Sequence, residues 1–273
     1  MKCSVCGSPQ VYHYKKIDDV QVLQCRKCLL GFVDPKTPRQ NTSHIYDFAD
    51  YKKREEQFRS RYEKTVRLLK KYAHGKTVLE VGAGFGLLSS ILEKKGYLMD
   101  ALEPYVTPHY LKDTKVRIIK KTFTAYAKTT IKKYDVIILY DVIEHTDDPK
   151  GMVLLFKRLL KKNGIVLIQT PNYLSTMAAR VKRWSWWMIE DHRVFLGRMS
   201  FAHLFSKKTW TQKLYTTYED WIDFKKNLDG NFTNKKGEKY LFFLWWIPFY
   251  FLFKKFMWAA GKGGLIVTVY QKK

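Results

Sequence analysis

Beyond residue 28 this 273-residue chain contains no cysteine; its four cysteines all fall between residues 3 and 28. Carboxylates are scarce too, 25 Asp and Glu against 50 Lys and Arg, which leaves a formal charge of +25. An excess of that size favours an anionic partner: nucleic acid, an acidic membrane or a phosphorylated substrate. The basic residues are mostly lysines, spread in pairs with no arginine-rich stripe, so heavy surface solvation accounts for the charge equally well. No apolar stretch reaches the roughly 20 residues of a membrane-spanning helix. The nearest approach, residues 240–253, is broken by Pro248 and bounded by Lys239, Lys254 and Lys255. Such a run suits either an interfacial helix pair with lysine flanks or burial against the core or a dimer partner. No apolar leader precedes the first cysteines, since Met1 and Lys2 run straight into Cys3. The expectation is a cytoplasmic protein, with peripheral attachment to the inner face of the membrane as an open alternative. Repeats and low-complexity tracts are absent.

The cysteines that are present form two C-x-x-C pairs, Cys3/Cys6 and Cys25/Cys28, with 18 residues between the pairs. Two such knuckles close a tetrahedral thiolate site of the zinc-ribbon type. Residues 11–17 and 20–24 form the hairpin between them, turning at Asp18-Asp19. A module this small cannot fold on hydrophobic burial alone, so Zn2+ would supply its stability. Four protein ligands leave no open coordination position, which makes the expected site structural. Disulfides are the alternative, and a reducing compartment disfavours them. The ribbon and a stiff linker, Asp34-Pro-Lys-Thr-Pro38, make residues 1–40 a first unit; residues 41–273 make the second.

Residues 77–86 carry the most information. Val78, Leu79 and Val81 read as a buried strand; Gly82, Ala83, Gly84 and Gly86 form a turn almost without side chains; Leu87, Leu88, Ile91 and Leu92 continue at helical spacing. A strand feeding a glycine turn that opens a helix suits a nucleoside-bearing cofactor, whose backbone approach needs small residues and free helical N–H groups. The dinucleotide fingerprint requires glycine at 87, where Leu87 stands. What remains is G-x-G-x-G with Glu80 two residues upstream. A second acid, Glu103, lies 17 positions beyond Gly86 (103 minus 86), after a strand over 97–102. Acids at that place accept hydrogen bonds from ribose hydroxyls. A third stretch, residues 134–149, has a buried strand (136–139), then Asp141-Val-Ile-Glu-His145 and Asp148-Pro149, a helix over 150–160 and a strand over 165–169.

These motifs resemble class I S-adenosylmethionine-dependent methyltransferases, and the Val-Ile-Glu-His loop with His203-Leu-Phe-Ser206 resembles the ubiquinone-biosynthesis O-methyltransferase branch. The resemblance implies an α/β fold, a Rossmann-like, seven-stranded, mostly parallel sheet. It implies S-adenosyl-L-methionine held by Glu80, Gly82, Ala83, Gly84, Gly86, Glu103 and Asp141. No carboxylate stands at 120–123 to meet adenine, so backbone groups, Thr122 or Phe123 would do so. Ser206 reads as the N-cap of a helix carrying Trp210 and Leu214.

A long charged helix over 47–72, with Phe58, Tyr62, Val66 and Leu69 on one face, would cover the cofactor mouth. An acceptor-side lid is expected at 172–203, with an apolar segment at 240–260. In the lid Trp184, Trp186 and Trp187 stand among Arg180, Lys182 and Arg183, a composition that suits stacking on a sugar, a membrane interface, or plain packing. Histidine titrates near neutrality, which makes His145 the first candidate for general base and His203 the second. Glu144, His145 and Asp148 could together orient an acceptor through a divalent ion, as the resemblance permits. The expected activity is O-methylation of a small anionic acceptor, sugar- or lipid-linked. RNA methylation with the ribbon as RNA-binding module is a second reading, though Thr170-Pro-Asn-Tyr173 only echoes the base-methylation motif. A non-catalytic cofactor-binding scaffold is a third.

Overall fold

The computed structural model describes residues 1–38, 47–232 and 246–273. Its central sheet has seven strands: β4 (Thr77–Val81), β5 (Leu98–Leu102), β6 (Arg117–Ile119), β7 (Tyr134–Tyr140), β8 (Leu160–Pro171), β10 (Trp210–Tyr218) and β11 (Leu265–Lys272). Their order is β10-β11-β8-β7-β4-β5-β6. β6, β5, β4, β7 and β8 run parallel, whereas β11 pairs antiparallel with both β8 and β10. This is the expected Rossmann-like, mostly parallel architecture. Strands covered on both faces read as continuous apolar runs, and Val136 to Leu139 are all fully buried. The order reverses between β4 and β7, and a doubly wound sheet opens its ligand crevice at such a switch, beyond the strands' carboxyl ends.

The covering helices follow from their caps and faces. α5 (Pro149–Leu159) starts at Asp148, whose side chain accepts from the Gly151 amide, with Pro149 in the first turn, where a missing N–H costs nothing. The expected single helix over 47–72 is two: α1 (Phe48–Lys53) and α2 (Glu55–Tyr72), separated at Arg54 by a non-helical residue. α2 buries Arg61, Thr65, Val66 and Leu69 along one face. α3 (Leu87–Lys94) opens from Gly86, and α4 (Phe123–Thr129) from Thr122. The helix expected around Trp210 is instead the strand β10. Trp210, Thr211, Tyr215, Thr216, Thr217 and Tyr218 are strand-favouring residues that pair with β11 there, so a free sheet edge overrides any helical tendency. Ser206 caps only the turn before it, accepting from the Lys208 amide.

The cysteine module is a hairpin, β1 (Val11–Ile17) and β2 (Val20–Cys25), followed by β3 (Gly31–Val33). Asp18 and Asp19 both take positive φ, the type I′ geometry that matches strand twist. The small sheet has a fourth strand, β9 (Val194–Phe195), contributed by the expected lid. Tyr173 Oη donates to the Leu29 carbonyl at 2.6 Å, and Ser200 Oγ donates to the Cys28 carbonyl at 3.2 Å. The module and the sheet domain therefore share backbone pairing and a continuous apolar core. α6 (Thr176–Arg180) and α7 (Arg198–Leu204) complete the lid; α8 (Trp221–Phe232) and α9 (Trp246–Ala259) stand between β10 and β11. Residues 240–245 of the apolar run lie outside the described residues.

Candidate cofactor and acceptor site

The glycine turn follows β4 directly. Gly82, Gly84 and Gly86 take φ of +72°, +54° and +87°, left-handed values that a side chain adopts only with strain. Their surroundings differ. A Cβ on Gly82 would lie 2.5 Å from Val142 Cγ2, and one on Gly86 would lie 2.5 Å from Leu111 Cγ. Those two glycines serve packing. A Cβ on Gly84 would meet nothing within 4 Å, so this glycine faces open space. Ala83 between them is buried.

Two carboxylates flank the turn. Glu103, at the end of β5, accepts from the Gly84 amide at 2.9 Å and from the Tyr105 and Val106 amides at 2.8 and 3.1 Å. Glu80 is buried inside β4 and accepts from Ser89 Oγ on α3, at 2.5 Å. Burial pushes its carboxyl up to about 8, opposed by the Ser89 bond and reinforced by the Glu103 charge. A carboxylate kept in so dry a place is short of a cation, and a ligand ammonium would provide it. α1 and α2 close over the turn: the Phe85 ring packs against Phe48 and Tyr51 at 5.1 and 5.0 Å, and Tyr51 and Tyr62 hydroxyls meet at 3.4 Å.

Asp141 ends β7 with φ of +52°, a conformation that aspartate tolerates better than most residues. Its carboxylate accepts from Gln169 Nε2 at 3.2 and 3.3 Å, and Gln169 Oε1 in turn accepts from the Tyr218 hydroxyl. Burial pushes Asp141 upward, against the pull of Arg61. Arg61, 3% exposed on α2, is a residue the sequence reading missed. It binds Asp220 and Asp223 of the α8 entry and approaches Asp141 at 3.9 Å. The signal was present, since an arginine stands on the core-facing stripe of the helix together with Thr65, Val66 and Leu69.

His145 sits beside this group. Its Nε2 lies 3.1 Å from the Asp141 carbonyl and its Nδ1 3.1 Å from Asp191 Oδ1. Burial pushes the imidazole down, but the hydrogen bond it donates to Asp191 and the charge of Glu144 outweigh it and carry the ring to about 9. An acceptor at each nitrogen favours the doubly donating imidazolium, the form with no lone pair to receive a proton. Glu144 is 1% exposed; one oxygen accepts from Thr170 Oγ1 at 2.9 Å and the other, Oε1, is buried without a hydrogen-bond partner. Burial raises its carboxyl to about 8. His192, also missed, packs edge-on to His145 with ring centroids 4.8 Å apart, and burial pushes it down to about 3. Glu144, His145 and His192 bring donor atoms within 4.8 Å of one another. Asp148 is not in that group, because it caps α5. His203 is exposed on α7 and bonds its own helix through the Met199 carbonyl.

Phe123 is buried against Phe156, and Thr122 caps α4 by accepting from the Ala125 amide. Trp184 and Trp187 are buried edge-to-face in the seam between lid and cysteine module, with Trp186 packed against them. Packing is their role, because the lid must cover the apolar faces of Val22 and Tyr173.

The four sulfurs lie within 4.8 Å of one another, the nearest pairs, Cys3/Cys28 and Cys6/Cys25, at 3.5 Å, and no disulfide joins them. A tetrahedral zinc with bonds of about 2.3 Å would space its sulfurs roughly 3.8 Å apart, so the donor set fits that ion.

Residues 52–210 match the family described as methyltransferase domain. The chain belongs to this family. Over 105 residues the methyltransferase is 30% identical to ubiquinone biosynthesis O-methyltransferase of Vibrio atlanticus, a match covering 36% of this chain and 44% of the relative. The chain thus spans under half the length of that curated relative. Among solved structures, a possible histamine N-methyltransferase of Thermotoga maritima superposes with TM-score 0.52 at 16% identity, covering 85% of this chain and all of that one. An S-adenosylmethionine-dependent methyltransferase of Archaeoglobus fulgidus gives TM-score 0.51 at 15% identity, over 83% of this chain and 100% of the other. These two likenesses establish the class I methyltransferase fold.

Proposed function

We propose that this chain is an S-adenosylmethionine-dependent methyltransferase acting on a hydroxyl of a small anionic acceptor linked to a sugar or a lipid. The observation that carries the reading is the open space in front of Gly84, between buried Glu80 and amide-clamped Glu103, in a chain of the methyltransferase domain family. Glu80 would face the methionine amine and Glu103 the ribose hydroxyls, with Gly82, Ala83, Gly84 and Gly86 as the floor and Asp141 at the reacting end. When bound, the cofactor supplies a methyl group on a sulfonium sulfur, already activated for in-line displacement.

The chain's residues would then align the acceptor, keep water out and take a proton. α1 and α2 exclude water with Tyr51, Phe58 and Tyr62. The acceptor proton is assigned to the ionised form of Glu144, at Oε1, the buried oxygen without a partner; with the carboxyl raised to about 8, that form gains population as pH rises through the neutral range. His145, held as a cation by Asp191 and the Asp141 carbonyl, steadies the negative charge that Glu144 carries when ionised. His203, bound within its own helix at the surface, has no part in this scheme. The cysteine site is assigned to one structural Zn2+, supported by the sulfur spacing and by the lack of any open ligand position.

The test is incubation with isotopically methyl-labelled cofactor and fractionated cell glycans, lipids and RNA, followed by mass spectrometry. Label in a glycan or lipid fraction, lost with Glu144→Gln at unchanged cofactor affinity, is expected. Label in RNA would replace the acceptor class, and cofactor binding without label in any fraction would favour a scaffold.

A further inference from the structure

α9 presents its apolar side outward. Lys254, Met257 and Trp258 are the half-buried residues on the side facing β10, where Thr217 Oγ1 donates to the Trp258 carbonyl. On the opposite side Leu252 is 73%, Phe253 49% and Phe256 75% exposed. The patch continues onto α8, where Trp221 and Ile222 are 45% and 44% exposed and the Trp221 ring lies 5.2 Å from that of Phe251. Lysines fringe it: Lys225 and Lys226 on α8, Lys255 on α9 and Lys262 just beyond are all exposed. The Lys254 ammonium lies 4.5 Å from the Phe251 ring centre, its stem following the aromatic surface.

We propose that this α8–α9 surface seats the protein on an anionic phospholipid bilayer. Protein interfaces are depleted in lysine. A tryptophan and bare aliphatic and aromatic side chains ringed by lysines are the composition of a helix lying in the headgroup layer, where apolar groups enter the acyl boundary and ammonium groups meet lipid phosphates. The net charge of +25 adds attraction at longer range. Among the described residues no helix is long and apolar enough to cross a membrane, so the contact is peripheral. The same elements wall the candidate site: α8 begins at Asp220 and Asp223, the partners of Arg61, and Tyr218 of β10 bonds the glutamine that holds Asp141. An acceptor headgroup on the bilayer would therefore lie beside the site entrance; this last step rests on the proposed methyl transfer, whereas the docking does not.

Flotation of the full chain with vesicles of phosphatidylcholine, alone or mixed with phosphatidylglycerol, tests the docking. Binding to the mixed vesicles, weakened by salt, is expected. The double substitution Leu252→Glu, Phe256→Glu should reduce the bound fraction by roughly tenfold or more while leaving cofactor affinity unchanged, since both residues are exposed. A wild-type chain that stays unbound on anionic vesicles, or a double variant that floats equally well, overturns the proposal. So does a dimer in light scattering that the same substitutions dissociate, which would make a second copy the occupant. Cofactor titration of the same samples keeps the outcomes apart, because its failure counts against the proposed function and leaves the docking result standing.

Discussion

The backbone amide of Gly84 donates to Glu103 Oε2 at 2.9 Å, tying the turn after the first parallel strand to the acid that ends the second. The bond fixes the turn while Gly84 itself faces empty space. A glycine needed only for packing would have a neighbour where its Cβ is missing, as Gly82 and Gly86 do.

Glu80 makes cofactor binding depend on pH. Its carboxyl, raised to about 8 by burial, is neutral in the empty site at neutral pH but must be ionised to face an ammonium. Affinity should therefore fall by up to about tenfold per pH unit below about 8, and binding near pH 7 should release a proton. Titration in buffers of different ionisation enthalpy measures that proton directly. Glu80→Gln should abolish both the release and the pH slope; an unchanged slope would assign the effect elsewhere.

His145 and Asp191 give a second pH signature, in stability. A group raised from 6.5 to about 9 stabilises the fold fully below about 6.5 and ceases to do so as pH rises through about 9. Glu80 and Glu144, also raised, lose their contributions between about 4.5 and 8, so thermal stability should decline from weakly acidic to alkaline pH. Asp191→Asn should remove about 3 kcal/mol of the difference between pH 6 and pH 10. Melting curves of both proteins across that range check it, and parallel curves would contradict the ion pair.

Arg61 holds three carboxylates from beneath the site. Arg61→Met leaves Asp141, Asp220 and Asp223 without their shared cation, and loss of a buried partner costs about 3–5 kcal/mol. Urea unfolding should show the loss. A variant as stable as the parent would mean that solvent already pays for those charges.

The cysteine module should contain one zinc per chain, and its removal should be felt in the lid. β3 pairs with β9, and Ser200 and Tyr173 bond the Cys28 and Leu29 carbonyls, so a metal held by the cysteines would organise Val194 and its neighbours. Cys28→Ala should lose the metal and speed amide exchange at residues 193–196, while β4 and β7 stay protected. Metal analysis and exchange mass spectrometry check the two halves separately.

Much of this was legible from residues alone. Apolar runs such as Val136 to Leu139 can only be strands covered on both faces, and the bare turn at 82–86 has few uses other than admitting a ligand. Local chemistry also placed Glu80, Glu103 and the four cysteines. What escaped were relationships made by the tertiary fold. Trp210 and Leu214, four residues apart, read as helical until the open edge of β11 is known. His192 and Asp191 come from a loop more than 40 residues beyond His145 and carry no motif. Of the three uses open to the lid tryptophans, the fold takes packing against the cysteine module, a choice that no local pattern makes.

The central claim is that the space in front of Gly84 receives S-adenosylmethionine. Calorimetric titration of the cofactor into the parent chain and into Gly84→Asp tests it most directly. A Cβ at this position meets nothing within 4 Å, so the fold should bear the substitution at about 1 kcal/mol of backbone strain. The account predicts saturable binding to the parent and at least about a hundredfold weaker binding to a folded variant, from lost space and an added negative charge. Equal affinity in the two proteins, or no binding to the parent, would contradict it.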